Sequence, residues 1–493
     1  MYTALMPNFS STTPFFPAWR PHLAPAGSRL ADPVQAVKAC TLAGLEALFG
    51  SCFPAALLAT PSGRRNRIYT TERTVWCFLW QILNPGTACR EVVRQLQALL
   101  TLSGGPKISS GDGAYCLARK RLSADLLPAA LKATAKAAQG AAPPQEAGFL
   151  RDRPRKVIDG TTLTMPDSKR NRKAFPKTQA TRDGIGFPMM RVLAIFCLAS
   201  GAILSVKTGN FLISELRLLT ELLSTLIKGD ILIGDRGFGS FVVTHLLRSV
   251  GVDFIGRSAR KVDGRKRLRS LGPNDWVVGW CRPATVSAVL SAAEWARVPA
   301  LLEIRMVRGS LWRPGFRVRQ VTVMTTLLDP QLYPAHQILQ AYAQRWRLEL
   351  CFDDLKTTLG MQMLSCQSPA MIDKELHLHL IAHNLVRYVA ATAASTHKVC
   401  LQQISFKGAL DALRHFSLAM SQARTRRRRT QLWEHLLNIL AADLVPLRPD
   451  RREPRAVKRQ KNKYPRLDCD RRKFRDHPKR HVRRSSVVSS KSG

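Results

Sequence analysis

The chain has 493 residues, more than one compact hydrophobic core accommodates, so two to four domains are expected. Hydrophobic residues make up 45% of it, an ordinary globular value that excludes global disorder. The formal net charge is +42, because 76 Lys and Arg oppose 34 Asp and Glu, and such a surface attracts a polyanion.

The positive charge is spread along the chain. Residues 421–493 carry 23 basic and 7 acidic side chains, a net +16, which leaves +26 on the preceding 420 residues. A localisation tag would place nearly all of the charge at one end. We therefore expect an extended nucleic-acid surface.

The cysteines and the apolar stretches narrow the class of protein further. Eleven scattered cysteines include no Cys-x-x-Cys pair, which predicts reduced thiols in a cytosolic protein and neither a disulfide framework nor a zinc site. The N-terminus lacks a basic segment followed by a sustained apolar run, so we predict no signal peptide. The most apolar stretch, 192–206, is shorter than the roughly 20 residues that span a bilayer and is broken by Ser200-Gly201.

The periodicity changes several times along the chain. Helical spacing dominates the first third, strand and helix signals then alternate as in an α/β protein, short β-type runs follow, and helices return before the basic tail. The predicted segments are 1–35 irregular, 36–148 helical and DNA-binding, 149–250 first part of an α/β core, 251–333 β-rich insertion, 334–420 second part of the core, and 421–493 basic tail.

Two aspartates follow apolar strand signals. Residues 156–163 are predicted as a strand that ends in a turn, with Asp159 at or near its end and a glycine after it. Asp235 ends the apolar run 231–234, at the mouth of a buried strand. A carboxylate so placed is fixed by the sheet, yet it projects where a phosphate or metal ion can approach. Because a single aspartate there more often begins a turn, neither is decisive alone.

Four polar residues share one face of a predicted helix. They are Tyr342, Arg345, Glu349 and Lys356. At about 100° per residue, they fall within about one sixth of the circumference of an ideal helix. This is a poor core face but a good phosphate-gripping face with one metal ligand in its middle. A solvated surface with Arg345 and Glu349 as an i, i+4 pair would explain that pair, but not the alignment of all four.

These four residues, with two, three and six residues between them, match the signature of the insertion-sequence-four family of DDE transposases without a gap. The surrounding segments also resemble that family, from about Tyr69 to Pro465. They are residues 159–162, 235–238, 342–349, 453–458 and 464–465. The resemblance implies an α/β fold with an RNase H-like catalytic core interrupted by a β-rich insertion. It also implies an α-helical N-terminal domain and a basic C-terminal tail.

The resemblance also implies roles for single residues. Asp159, Asp235 and Glu349 would form the catalytic triad and hold Mg²⁺ or Mn²⁺, with two ions expected, because hard divalent cations prefer carboxylate oxygens. The DNA-binding residues would be Tyr342, Arg345 and Lys356. The implied partner is double-stranded DNA, as transposon ends and as target. We also expect a homodimer in a synaptic complex and no association with a membrane. The expected location is the nucleoid in the bacterial cytoplasm.

Nearby acids and histidines compete for these roles. Asp353 and Asp354 lie one turn beyond Glu349, so either is an alternative third ligand, and Asp353, on the same side of the helix, is also a candidate supporting acid. Asp230 competes with Asp235 but is expected to end a turn. Of His377, His379 and His383, the last two are spaced i, i+4. On a segment rich in Leu and Ile, with no acid between them, all three are predicted to be packed or surface residues.

Further basic and aromatic residues are candidate DNA contacts, although a solvated charge run and a core tryptophan are the commoner interpretations. They are Arg424, Arg426, Arg427, Arg428, Arg429, Arg257, Arg260, Lys261, Arg265, Lys266, Arg267, Arg269, Trp276, Trp280 and Trp312. Two other functions stay open. One is a DNA-binding regulator that has lost activity, and the other is a structure-selective nuclease of the same fold that performs no strand transfer.

Overall fold

The computed structural model describes Leu45 and residues 48–59, 68–102, 105–144, 146–176, 186–257, 266–311, 319–423 and 425–446. Within these segments the chain forms a mixed α/β fold around one large sheet. No helix of this part is long and apolar enough to cross a membrane. Its cysteines are free thiols, as predicted, and Cys40 and Cys469 lie outside it.

The N-terminal third is helical, as its apolar spacing predicts. The helices are α1 (Ala55–Leu58), α2 (Thr71–Leu83), α3 (Cys89–Leu102), α4 (Gly113–Arg121) and α5 (Leu126–Gly140). The side chain of Thr70 accepts a hydrogen bond from the N–H of Arg73 and so caps α2. Residues 74–79 are all buried, because α2 is covered on several sides. Its apolar residues share one hydrophobic cluster with the sheet and the C-terminal helices.

The sheet has nine strands in the order β3-β2-β1-β4-β5-β9-β8-β7-β6. The strands are β1 (Arg155–Thr164), β2 (Met189–Cys197), β3 (Ile203–Asn210), β4 (Ile231–Gly234), β5 (Asp253–Gly256), β6 (Lys266–Gly272), β7 (Asp275–Cys281), β8 (Leu301–Leu311) and β9 (Arg319–Thr325). Only β1, β4 and β5 pair in parallel with one another. All four residues of β4 are buried, as expected for a central parallel strand with both faces covered.

The predicted β-rich insertion extends this same sheet. Strand β9 pairs antiparallel with β5, and β8, β7 and β6 follow outward in antiparallel order. Strand β5 lies within the predicted insertion of residues 251–333, yet it pairs in parallel with β4 and thus belongs to the central sheet. A short run of β-type residues does not reveal which neighbour it pairs with.

One buried ion pair ties the insertion to the chain that follows it. Arg305 of β8 is fully buried, and its Nε donates to Asp275 Oδ1 of β7 at 2.8 Å. Its Nη1 donates to the carbonyl oxygen of Tyr333 at 2.7 Å. Tyr333 lies immediately before the helix that carries Tyr342, so Arg305 fixes the insertion against the start of that helix.

The remaining helices pack on the sheet and on one another. They are α6 (Lys169–Ala174), α7 (Glu215–Leu222), α8 (Phe241–Ser249), α9 (Ala292–Ala296), α10 (Ala335–Gln344), α11 (Arg347–Asp353), α12 (Pro369–His397), α13 (Phe406–Gln422) and α14 (Arg426–Ala442). A π-helical turn, Asp354–Thr358, continues α11. Helix α12 begins with proline at its first position and ends at Lys398, which has a left-handed backbone. It packs along α5.

Candidate active site

Asp159 and Asp235 lie side by side on neighbouring parallel strands. The last paired residues of β1 and β4 are Ile158 and Gly234, and the next residue of each strand is the aspartate. The prediction that Asp159 lies at or near the end of its strand is wrong, because β1 continues to Thr164 paired with β2. Relative to β4, however, Asp159 lies just past the end of the pairing, so both carboxylates meet at one edge.

Backbone amides orient both carboxylates. Asp235 Oδ1 accepts a hydrogen bond of 2.8 Å from the N–H of Gly237, in the short 3-10 turn Arg236–Phe238 that Asp235 caps. Asp159 Oδ1 accepts one of 2.8 Å from the N–H of Gly160. In each aspartate, Oδ2 takes no part in this hydrogen bond.

Burial raises the pKa of Asp159 to about 6, and the charges of Asp235 and Glu215 add to the rise. The hydrogen bond from Gly160 and the charge of Arg345 oppose it. Half-buried carboxylates that repel one another are a site where a cation would be stabilised.

Glu215 is a third acid at this edge, and the sequence did not single it out. It is the first residue of α7, and its carboxyl group packs directly on Gly160, where an added Cβ would lie 2.7 Å from Glu215 Oε1. Burial raises the pKa of Glu215, the charge of Arg191 lowers it, and that of Asp235 raises it. A glycine at position 160 leaves room for this contact. In the sequence, Gly160 was the one hint that another group packs against the backbone beside Asp159.

The predicted helix with Tyr342 and Glu349 on one face is interrupted. Helix α10 ends at Gln344, and α11 begins at Arg347. Between them the N–H of Arg345 bonds the carbonyl of Tyr342 at 3.1 Å, a bond three residues back that tightens the turn. The ideal-helix alignment of all four residues therefore does not hold across this junction.

Parts of the predicted face still meet. Arg345 Nη2 lies 3.3 Å from Glu349 Oε1, and the Arg345 guanidinium carbon lies 6.0 Å from the centre of the Tyr342 ring. Tyr342 is buried, whereas Glu349 is exposed. Lys356 is half-buried on the π-helical turn, which departs from the α-helical spacing on which its predicted position rested.

The described residues contain no group of three or more His, Cys, Asp or Glu side chains that is ready to hold a metal ion. Asp159 and Asp235 are close together, whereas Glu349 is paired with Arg345. Arg345 links the two parts, because its charge acts on Asp159 while its guanidinium contacts Glu349.

The competing acids have other partners. Asp230 is buried and forms an ion pair with Lys156, and it also accepts the N–H of Ile227 at 2.7 Å. Asp353 is exposed and accepts the hydroxyl of Thr357 at 2.9 Å. The side chain of Asp354 is half-buried, and burial raises its pKa to about 7.

The histidines are packed, as predicted. Burial lowers the pKa of His379 to about 4 and that of His383 to about 3. His383 stacks on Phe406, and its Nε2 lies 3.1 Å from the carbonyl oxygen of Gly201. His377 Nδ1 lies 2.9 Å from the carbonyl oxygen of Asp373.

Several candidate DNA contacts lie outside the described residues: Arg260, Lys261, Arg265, Trp312 and Arg424. Trp280 is half-buried and packs edge-on against Phe241. The guanidinium of Arg267 lies 5.7 Å from the ring centre of Trp276. Both tryptophans thus have neighbours within the fold.

Residues 151–385 match the family model described as the transposase DDE domain. The transposase InsG for insertion sequence element IS4 of Escherichia coli (strain K12) is 23% identical over 406 residues, which cover 81% of this chain and 88% of that protein. A cryo-EM structure of the piggyBac transposase synaptic complex with hairpin DNA is similar with a TM-score of 0.38 and 11% identity, over 82% of this chain and 85% of that chain.

The matching domain spans both aspartates and the helix that carries Glu349, and it indicates the class of protein, a DDE transposase. The likeness to the insertion-sequence transposase runs through most of both chains. Together, the two matches support the insertion-sequence-four family of DDE transposases, which the motifs predicted.

Removing the Asp159 charge is expected to stabilise the metal-free protein. The folded pKa of about 6 exceeds the usual 3.8, so ionised Asp159 opposes folding above pH 6, and this penalty disappears as the pH falls towards 4. Asp159→Asn should therefore be more stable than the wild type by roughly 2–3 kcal/mol at pH 8 and by little at pH 4. Denaturant unfolding in EDTA measures this, with the exposed Asp125→Asn as the control for loss of one negative charge. A difference that does not change with pH would contradict the prediction.

Proposed function

We propose that this transposase binds the terminal inverted repeats of its insertion sequence, cleaves the DNA there and joins the freed ends to a target. The single observation that carries the proposal is the position of Asp159 and Asp235 side by side, each just past the last paired residues of β1 and β4. The order β3-β2-β1-β4-β5, in which β2 alone runs antiparallel to the other four strands, supports an RNase H-like core for this chemistry.

The chemistry of the site fits a divalent cation. Two carboxylates whose charges repel are half-buried at one edge, and Glu215 adds a third. We propose Asp159, Asp235 and Glu349 as the ligands of Mg²⁺ or Mn²⁺, with two ions. When bound, such ions activate an oxygen nucleophile and neutralise charge on the reacting phosphate.

The chain's own side chains would orient the DNA. Arg345 can turn from Glu349 to a phosphate beside the scissile bond, because a guanidinium matches a phosphate bidentately. Lys356 would bind a neighbouring phosphate, and Tyr342 would donate a hydrogen bond to the backbone or stack on a displaced base. Two such sites are needed to hold two transposon ends, so we propose a homodimer acting at the bacterial nucleoid.

The first turn of α14 supports a DNA-backbone contact. Residues 426–429 are four consecutive exposed arginines, and the turn contains no acid. Cations are unfavourable at a helix N-terminus, so this cluster does not serve the stability of the helix. It presents a dense positive surface to a polyanion.

Replacing two of these arginines is expected to weaken DNA binding in a salt-dependent way. Each phosphate contact contributes about −0.9 to the slope of log K against log salt concentration. The double variant Arg426→Gln, Arg427→Gln should therefore reduce the steepness of that slope by about 1.8. Gel shifts over a salt series measure it. The control removes two exposed arginines elsewhere, Arg248→Gln and Arg297→Gln, and an equal change in both variants would argue against a specific role of α14.

The proposed function is tested by incubating the protein with Mg²⁺, the DNA that flanks its own gene and a target plasmid. We expect cleavage at the repeat ends followed by joined products. Released ends that never join would indicate a nuclease without strand transfer. Binding of the ends with no cleavage in Mg²⁺ or Mn²⁺ would indicate a DNA-binding regulator.

A further inference from the structure

A cavity of about 230 Å³ lies away from the paired aspartates, between the segment before β1, the turn after β2 and the start of α11. Arg155, the first residue of β1, and Arg347, the first residue of α11, both line it. Arg155 pairs with Ile231, at the opposite end of β4 from Asp235. Arg347 lies two residues before Glu349 on α11, which places it about 200° around the helix from that residue. The cavity is therefore separate from the candidate active site.

Neither arginine has an acidic partner within the described structure. Arg155 is only 7% exposed, and its buried Nε donates to no acceptor. Burial lowers the pKa of Arg155, and the charge of Arg347 lowers it further, whereas Asp152 and Glu146 raise it from a distance without forming an ion pair. The pKa of Arg347 is also lowered by burial.

The neighbours of Arg155 compensate its charge only weakly. Its guanidinium carbon lies 4.5 Å from the centre of the Phe149 ring, which gives a cation–π contact. Glu146 lines the cavity but is exposed to solvent. A buried charge without a hydrogen-bonded partner is costly, and an anion that enters between the two guanidinium groups would remove that cost.

We propose that this cavity binds one phosphate group through Arg155 and Arg347. Guanidinium forks match phosphate oxygens, and two of them can neutralise a dianion. The cavity is smaller than the roughly 300–1,000 Å³ of sites for drug-sized ligands, so it suits a single phosphate with waters. The phosphate is either inorganic or part of a DNA backbone.

Occupancy would have a mechanical consequence. Residues 143–149 connect the N-terminal helices to β1, and several of them line the cavity together with Arg347 of α11. A phosphate held there would fix this connection against the helix that carries Glu349. The site would thus couple the N-terminal helices to the catalytic edge, and the binding itself does not depend on the proposed reaction.

The first test compares the unfolding temperature of the full chain in inorganic phosphate and in chloride, at equal ionic strength and pH. For the wild type, phosphate should give a saturable rise of at least about 1 °C. Arg347→Gln should unfold at a higher temperature than the wild type in chloride, because it removes one of two repelling charges, and it should lose the phosphate increment. Arg297→Gln, an exposed substitution, should keep that increment.

A second arm separates the two sources of phosphate. If the site takes a DNA backbone phosphate, Arg347→Gln should lower the steepness of the salt dependence of DNA binding by about 1. If it takes inorganic phosphate, DNA binding should be unchanged while the stabilisation is lost. The proposal is overturned if Arg347→Gln keeps the full phosphate increment or unfolds at a lower temperature in chloride. It is likewise overturned if phosphate stabilises the wild type no more than chloride and the salt dependence is unaltered.

Discussion

Asp159→Asn and Asp235→Asn are each expected to lower the rate of Mg²⁺-dependent cleavage by at least about 1,000-fold, which corresponds to about 4 kcal/mol of transition-state stabilisation. Asparagine keeps the shape of the side chain but removes the charge that a divalent cation requires. Affinity for transposon-end DNA should stay close to that of the wild type, because loss of a negative charge does not weaken contact with a polyanion. Single-turnover cleavage and gel shifts on the same DNA measure the two quantities.

Glu349 and Glu215 have different surroundings: Glu349 is paired with Arg345, whereas Glu215 packs on Gly160. Their variants therefore test different roles. Glu349→Gln is expected to match the aspartate variants, because the family signature makes it the third ligand. Glu215→Gln is expected to lower the rate about 10–100-fold, as for residues that support ligands from behind. Glu221→Gln, on the same helix but exposed, is the matched control.

The outcome for Glu349 decides the composition of the triad. In the described structure it is paired with Arg345. Cleavage at the wild-type rate by Glu349→Gln would remove it from the triad, and a loss of 1,000-fold in Glu215→Gln would then make Glu215 the third ligand. Cleavage by Asp235→Asn at the wild-type rate would refute the site altogether.

Elements with a strong local pattern could be predicted from the sequence. The apolar run 231–234 is a buried parallel strand, and the runs on either side of Ser200-Gly201 form the antiparallel pair β2 and β3. Burial on both faces leaves a continuous apolar run in the sequence, and a glycine turn between two such runs marks a hairpin. The position of Asp235 followed from the end of such a strand, whereas Asp159 lies inside β1, just past the last pair of β1 with β4.

Features that depend on tertiary contacts could not be predicted. Glu215 at the start of a helix looks like an ordinary acid that favours the helix dipole, and only the fold brings it onto Gly160. No glycine or proline in the sequence marks the break between α10 and α11. Arg155 and Arg347 are far apart in the sequence, so their shared cavity is visible only in three dimensions.

Arg305→Ala is expected to destabilise the protein by about 3–5 kcal/mol, a large fraction of the stability of a typical domain. The substitution leaves the carboxylate of Asp275 buried without its partner and removes the donor to Tyr333. It also creates a void in the core of the insertion. Denaturant unfolding followed by tryptophan fluorescence measures the loss, because Trp276 lies next to Asp275 in the sequence.

The exposed pair Arg269 and Glu303, 3.6 Å apart on the same insertion, is the matched control, and Arg269→Ala should cost less than about 1 kcal/mol. The double variant Arg305→Met, Asp275→Leu should recover much of the loss, because replacing both partners of a buried pair leaves no unpaired charge. Cleavage should nevertheless remain impaired in that variant, because methionine cannot replace the hydrogen bond from Arg305 to Tyr333 that orients the start of the helix with Tyr342. Full recovery of cleavage together with stability would show that Arg305 supports folding alone and has no part in placing that helix.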